Sequence, residues 1–301
     1  MALQTQVWLK TLQENFFPDD SFVAKSEDDS QYVSHKTVHV PHAGKPSAVK
    51  VNRTTKPASI SERTDNELTY DIDELTTDPV HISNADTVEL SYDKRVSILQ
   101  NDKSELQRVA SELILHRWAK GADAASPILT DGDARAAHTA QGTGQRRKMT
   151  DKVVHQIAMR MDKQDLPATG RYLILDTDMY GDLLDSLTEA NRFAFLASAD
   201  VAKGTVGRLY GIDIFTRSTV LRMKSNGNII TEPTGGEATE VGAGFAWQQS
   251  CVSRAIGEAH MFSSLDNPSY YGDIYSFLMR VGGSHRRYDK KGVFLVAEGN
   301  V

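Results

Sequence analysis

An α+β fold with long extended arms is predicted by three features of the sequence. Its first third is proline-punctuated and segregated in charge, amphipathic helices occupy the middle, and short apolar runs parted by glycines fill the second half. The chain has 301 residues, 40% apolar and 25% charged, a composition that builds a real core. That length allows two modest domains or one large one. No run approaches the roughly 18 apolar residues of a membrane span, so no membrane partner is expected. The opening MALQTQVWLKTLQENF alternates apolar and polar residues and lacks the apolar block of a secretory signal, so export by that route is not expected.

Cys251 is the only cysteine. No intrachain disulfide can form and a cysteine zinc site is excluded, which fits synthesis in a reducing cytosol. The net charge is −6, from 40 acidic and 34 basic side chains. A protein that coats DNA by neutralising phosphates needs the opposite balance, so contact with nucleic acid is expected to be sparse and non-specific.

From His35 to Lys56 there are five basic side chains and no acidic one, whereas Glu62 to Asp93 holds ten acidic side chains against Arg63 alone. Pro41, Pro46 and Pro57 exclude a helix in the basic stretch. It reads as an extended arm that turns near Ser59–Asn66 and returns as a strand, with Leu68, Tyr70 and Ile72 alternating. An arm of this kind has no core of its own, and the expected cover is another subunit.

A capping-box pair, Ser104 and Gln107, predicts a helix over 104–120. Its apolar face carries Leu106, Val109, Ala110, Leu113 and Arg117, widened by Leu115 and Trp118, and Gly121 stands at its end. Residues 120–148 read as a loop or loose crossing. A second helix is expected over Asp151–Lys163, burying Val153, Val154, Ile157, Ala158 and Met161 before Pro167. A strand at 171–175 and a short helix carrying Tyr180, Leu183, Leu184 and Leu187 follow. Val206–Phe215 reads as a strand bent at Gly211, and Asn226–Gly227 as the turn of a hairpin. The glycine-rich run 234–244 reads as a flexible loop and Phe245–His260 as a helix. Ile274–Val296 reads as strands separated at Gly282–Gly283 and Lys291–Gly292. No internal repeat is present, and this mixture of elements is not that of a β-jelly roll.

Three constellations invite chemistry. The apolar run Tyr172-Leu-Ile-Leu ending in Asp176-Thr-Asp178 resembles the nucleophile motif of haloacid dehalogenase-type phosphatases, in which one carboxylate attacks phosphorus and both hold Mg²⁺. Tyr180 stands where that motif has Thr or Val, and no doubly acidic second site follows. The plainer expectation is a strand end whose Asp176 or Asp178 caps the next helix. His35, His39 and His42 would converge on a metal only if they lay on a helix, which Pro41 forbids; surface histidines are expected. Gly142–Lys148 lacks the spacing of a phosphate loop, and its basic residues read as a solvated patch. No catalytic residue, cofactor or metal is expected, and Cys251 reads as a small buried apolar residue.

The segments at 167–176, 204–215, 245–257, 271–274 and 282–293, taken in this order, resemble the Hong Kong 97-like capsid fold of tailed bacteriophages. Pro167-Ala-Thr-Gly-Arg-Tyr-Leu-Ile-Leu-Asp is similar to that family's strand-then-helix segment. Gly204-Thr-Val-Gly-Arg-Leu-Tyr-Gly-Ile-Asp-Ile-Phe resembles its glycine-punctuated strand, and Phe245 to Gly257 resembles the helix before its last strands. Tyr271-Gly-Asp-Ile and Gly282 to Val293 resemble its closing segment. The matches cover about 120–300, and the arms cover the rest.

The resemblance implies an amino-terminal arm (1–35), an extended loop (36–85), a peripheral domain with the long helix (86–149), an axial domain (150–275) and closing strands (276–301). It implies a non-enzymatic major capsid protein, assembled in the host bacterial cytoplasm, whose hexamers and pentamers enclose double-stranded DNA. Implied partners are other copies of the chain, a portal, a possible separate scaffolding protein and minor decoration proteins. Lys45, Lys50, Arg53 and Lys56 are expected to lie against acidic residues of an adjacent subunit. The other readings are a nanocompartment shell protein of the same fold and a phosphatase built on Asp176 and Asp178.

Overall fold

A computed structural model describes residues 21–42, 49, 51–54, 66–83, 94–120, 122, 127–224, 227–230, 236–287 and 289–300. The chain begins with β1 (Glu27–Asp28), β2 (Val33–Ser34) and β3 (Thr37–His42), and resumes with β4 (Asn66–Asp71), β5 (Asp73–Thr76) and β6 (Val80–Ser83). The long helix α1 (Lys94–Ala119) leads through β7 (Ile128–Leu129), β8 (Ala134–Ala136) and β9 (Gln145–Arg147) to α2 (Asp151–Lys163). Then come β10 (Arg171–Asp176), α3 (Thr177–Ser186), α4 (Glu189–Ala197), β11 (Gly207–Leu209), β12 (Ile212–Arg217), β13 (Leu221–Met223) and β14 (Ile229–Ile230). The chain closes with β15 (Val241–Gln248), β16 (Val252–Asn267), β17 (Gly272–His285) and β18 (Val293–Ala297).

The main sheet runs β11-β12-β10-β15-β13-β14, with β18 on β15 and β7 on β18. Both of its faces are covered. Phe245, Trp247, Phe215, Leu295 and the inner face of α1 fill one core. Leu173, Leu175, Ile214 and Val296 fill the other with α2, α3 and Phe195 of α4. A strand buried on both faces loses polar alternation. That is why 245–248 lies in a strand, β15, every residue of which is buried, and not in the helix expected over Phe245–His260.

The remainder of that expected helix is a tight 3-10 turn at Gln249–Cys251 and then β16, which pairs with β17 from Val252↔His285 to Asn267↔Gly272. Gly282–Gly283 does not separate strands, since β17 runs through it. The glycine-rich run 234–244 enters β15 from Val241. Val206–Phe215 is a hairpin and not a bent strand: Gly207 pairs with Ile214, and Tyr210 and Gly211 turn the chain with φ of 49° and 79°, the positive pair that a two-residue hairpin turn requires.

The long helix starts earlier than its capping signal. Ser104 lies inside α1, where its Oγ donates to the carbonyl of Gln100 at 2.9 Å, a local bond that competes with capping. Leu106, Ala110, Ile114, Leu115, Trp118 and Ala119 are buried. The stripe is therefore rotated from the expected face, with Val109, Leu113 and Arg117 at its margin. Arg117 instead clamps Asp73 of β5, donating at 2.6 and 2.8 Å from Nη2.

Of the first third, β3 and β4 pair antiparallel from Thr37↔Asp71 to His42↔Asn66. Val38, Val40 and Ile72 close over Ala255. Within 36–85, β5 and β6 belong to the body, both pairing with β17.

Candidate functional site

The polar residues most deeply drawn together lie where β10, β18 and the β8–β9 segment meet. Asp176 ends β10 and caps α3: its Oδ1 accepts the N–H of Met179 at 2.7 Å, which is the plainer of the two roles anticipated for the Asp176–Asp178 pair. Its Oδ2 lies 2.7 Å from His138 Nε2. The other ring nitrogen of His138 is 3.2 Å from Glu298 Oε1. Arg135 donates from Nε to Asp182 Oδ2 at 2.6 Å and from Nη2 to Glu298 Oε1 at 2.5 Å. Glu298 Oε2 takes the Gly242 N–H at 3.0 Å.

Three buried carboxylates thus face one guanidinium and one imidazole. Burial opposes charge on His138, but hydrogen bonds and charge from Asp176 and Glu298 outweigh it and push its pKa up to about 10. The protonated ring leaves the network one negative charge in excess instead of two, the better compensated state for a buried cluster. Arg135 Nη1 also approaches His138 Nδ1 at 2.8 Å. Arginine can only donate, so this contact is a hydrogen bond while Nδ1 is unprotonated, and it opposes the pull of the carboxylates on that proton.

His138, Asp176 and Asp178 bring three potential ligand atoms within 4.8 Å of one another. Both nitrogens of the imidazole are already engaged, so a cation would have to displace a firmly held proton. Asp178 itself is exposed in the first turn of α3. The geometry is that of an ion-paired fastening.

Sequence reasoning singled out Asp176 but not Arg135, His138, Asp182 or Glu298. A hint lay in the arginine and histidine of a segment with no large apolar residue; their partner 160 or more positions onward is invisible along the chain. Of the arm cations, Arg53 is exposed, and Lys45, Lys50 and Lys56 lie outside the described residues. His35 and His39 are exposed, with His39 Nδ1 2.7 Å from Glu67 Oε1 across the β3–β4 pair. Cys251 is buried, and burial pushes its thiol pKa up. In the Gly142–Lys148 stretch, Arg146 is buried and donates from Nη2 to the carbonyl of Glu240 at 2.9 Å.

Helix α4 shows the opposite character. Phe195 is its one buried side chain. Ala190, Phe193, Ala194 and Ala197, at i, i+3, i+4 and i+7, form an apolar stripe on its exposed surface. Phe193 is 69% exposed and the neighbouring Leu196 44%. Apolar residues thus lie on the outer surface of α4 as well as on its inner one.

No family model matches this chain, and no curated protein matches it. Solved structures do. The capsid of cyanophage P-SCSP1u is 18% identical over 90% of this chain and 86% of that chain, with a TM-score of 0.62. The capsid of Ralstonia phage GP4 is 13% identical over 96% and 90%, with a TM-score of 0.63. The mature capsid of bacteriophage PhiM1 is 13% identical over 94% and 88%, with a TM-score of 0.59. The chain therefore has the α+β fold of phage capsid proteins. The fold is the one its strand-then-helix and closing segments resemble in sequence, although the segment from Phe245 is strand where a helix was expected.

Proposed function

We propose that this chain is the major capsid protein of a tailed bacteriophage and acts by self-assembly into an icosahedral shell. A fold alone does not carry a function. What supports the reading is correspondence along the full length, since 86–90% of each capsid chain quoted above is matched by 90–96% of this one. The exposed stripe of α4 supports it too, as a surface that a copy of the chain would bury. The domain partition given above, the hexamers and pentamers, the portal, scaffolding and decoration partners, the packaged DNA and the cytoplasmic assembly site belong to the same proposal.

Ring contacts are heterologous, one face meeting a different face of the next copy. Each standard interface buries on the order of 1,600 Å² against a large entropic cost, so the shell owes its strength to the number of contacts. Electron microscopy of the overexpressed chain, alone and with its neighbouring phage genes, should show closed particles. Phe193→Asp should reduce their yield at least tenfold while the far-ultraviolet circular dichroism of the subunit stays unchanged. A wild-type chain that remains a compact monomer at every concentration would end this reading.

Lys45, Lys50, Arg53 and Lys56 are proposed to meet acidic residues of an adjacent copy, given the charge segregation of the first third. Reversing all four to Glu should lower particle yield and change its salt dependence. Unchanged yield and salt response would remove these residues from the interface.

A further inference from the structure

The connection between α1 and α2 is fastened in an unusual way. Its two ends are set in apolar core by Ile128 and Met149, each 1% exposed. Between them, residues 131–148 bury no apolar side chain; the alanines at 134, 136 and 140 are exposed, and Arg146 is the one buried side chain. Everything holding this stretch down is polar. Arg135 and His138 reach Asp176, Asp182 and Glu298. The N–H of Gln141 donates to Glu240 Oε1 at 2.9 Å. Those of Thr143 and Arg147 donate to the carbonyls of Ala238 and Gly299, each at 2.8 Å. Arg146 Nε is buried and has no hydrogen-bond partner among the described residues.

We infer that residues 131–148 form a strap that opens as a unit while the main sheet beneath stays folded, with Arg135 and His138 as its fastening. The inference goes beyond the shell reading and does not depend on it. Regions that open below the global unfolding free energy are those with few buried apolar contacts, and neither core of the main sheet draws a side chain from the strap. Ion pairs separate more readily than buried apolar surface because water solvates both released charges. Opening would free up to roughly 60 Å of extended chain between the two helices at about 3.3 Å per residue. The released loop stays anchored at Ile128 and Met149, so neither helix is lost.

The fastening carries its own pH dependence. His138 faces Asp176 and Asp178 at the start of α3, Glu298 at the end of β18, and Arg135 of the strap, behind which stands Asp182. Its folded pKa of about 10 lies above the ordinary 6.5. A raised pKa gives stabilisation that is complete below about 6.5, declines as pH rises, and is gone above about 10. In that window the opening equilibrium should rise by up to tenfold per pH unit.

Hydrogen–deuterium exchange of the full chain tests this, read by mass spectrometry at pH 6.5 and 8.5 with intrinsic rates divided out. The reporting amides are Gln141, Thr143 and Arg147, whose bonds run from the strap to the body beneath. Their protection should fall about fiftyfold between the two pH values, while β10 and β15 keep theirs. In His138→Asn the strap should already be open at pH 6.5 and the pH step should vanish. Arg135→Met should open it at both values. The proposal is overturned if strap amides exchange in step with β10 and β15 at both pH values, or if His138→Asn leaves the pH step intact.

Discussion

Replacing Trp247 with Ala should lower the free energy of unfolding by about 3–5 kcal/mol, the range for deleting a large buried aromatic. Trp247 is fully buried at the meeting point of three segments far apart in sequence. Its ring lies 5.7 Å from Trp118 of α1, 5.5 Å from Tyr172 of β10 and 6.3 Å from Phe22 near the amino terminus. Its indole N–H donates to the carbonyl of Lys25 at 2.9 Å, so truncation leaves a cavity and also removes that hydrogen bond. Trp247→Phe keeps much of the volume and loses the hydrogen bond, and should cost about 1–2 kcal/mol. Urea denaturation of the unassembled subunit, followed by circular dichroism, measures both. A loss below about 1 kcal/mol for the Ala variant, far under the core range, would mean that the three segments do not share this core.

What was legible in the sequence follows from how each element is buried. Helix α2 has one wet and one dry face, and Val153, Val154, Ile157, Ala158 and Met161 are the buried residues that its period predicts. The β13–β14 hairpin was legible from Asn226–Gly227, although Met223 pairs with Ile229 and not with Ile230 as a two-residue turn there requires, so the connection is one residue longer than expected. Strand β15 was not, since water touches neither face and its run of small and aromatic residues carries no period. Helix α4 went unread for a different reason: its exposed stripe is apolar, so the contrast that reveals a helix is missing, and what erases the contrast is the surface proposed for assembly. At the polar network, Asp176 was visible as half of a short motif. Glu298 was not, because its partners Arg135 and His138 are brought to it by the sheet and not by proximity in the chain.

The pair Gly282–Gly283 makes the same point from the side of steric demand, and yields the second large expected effect. Read locally, two glycines interrupt a strand. In the fold, β17 passes through them because α1 presses directly on the backbone there. A Cβ on Gly283 would stand 3.0 Å from Ile114 Cγ2, 3.1 Å from Trp118 Nε1 and 3.1 Å from the carbonyl oxygen of Ser253, the last two being donor and acceptor of a 2.7 Å hydrogen bond. One methyl there needs displacements of a few tenths of an ångström, so Gly283→Ala should cost no more than about 1.5 kcal/mol, within what overpacked cores absorb. Valine's γ-carbons have no room unless α1 lifts. Lifting breaks the Trp118–Ser253 bond inside the core, so overpacking and an unsatisfied buried pair act together. Gly283→Val should therefore destabilise the subunit by about 3–5 kcal/mol. In the same urea titration, equal and small losses for Ala and Val would mean that α1 does not press on β17 at this position, whereas a steep Ala-to-Val step locates the closest approach of helix and sheet at a residue that local reading takes for a break.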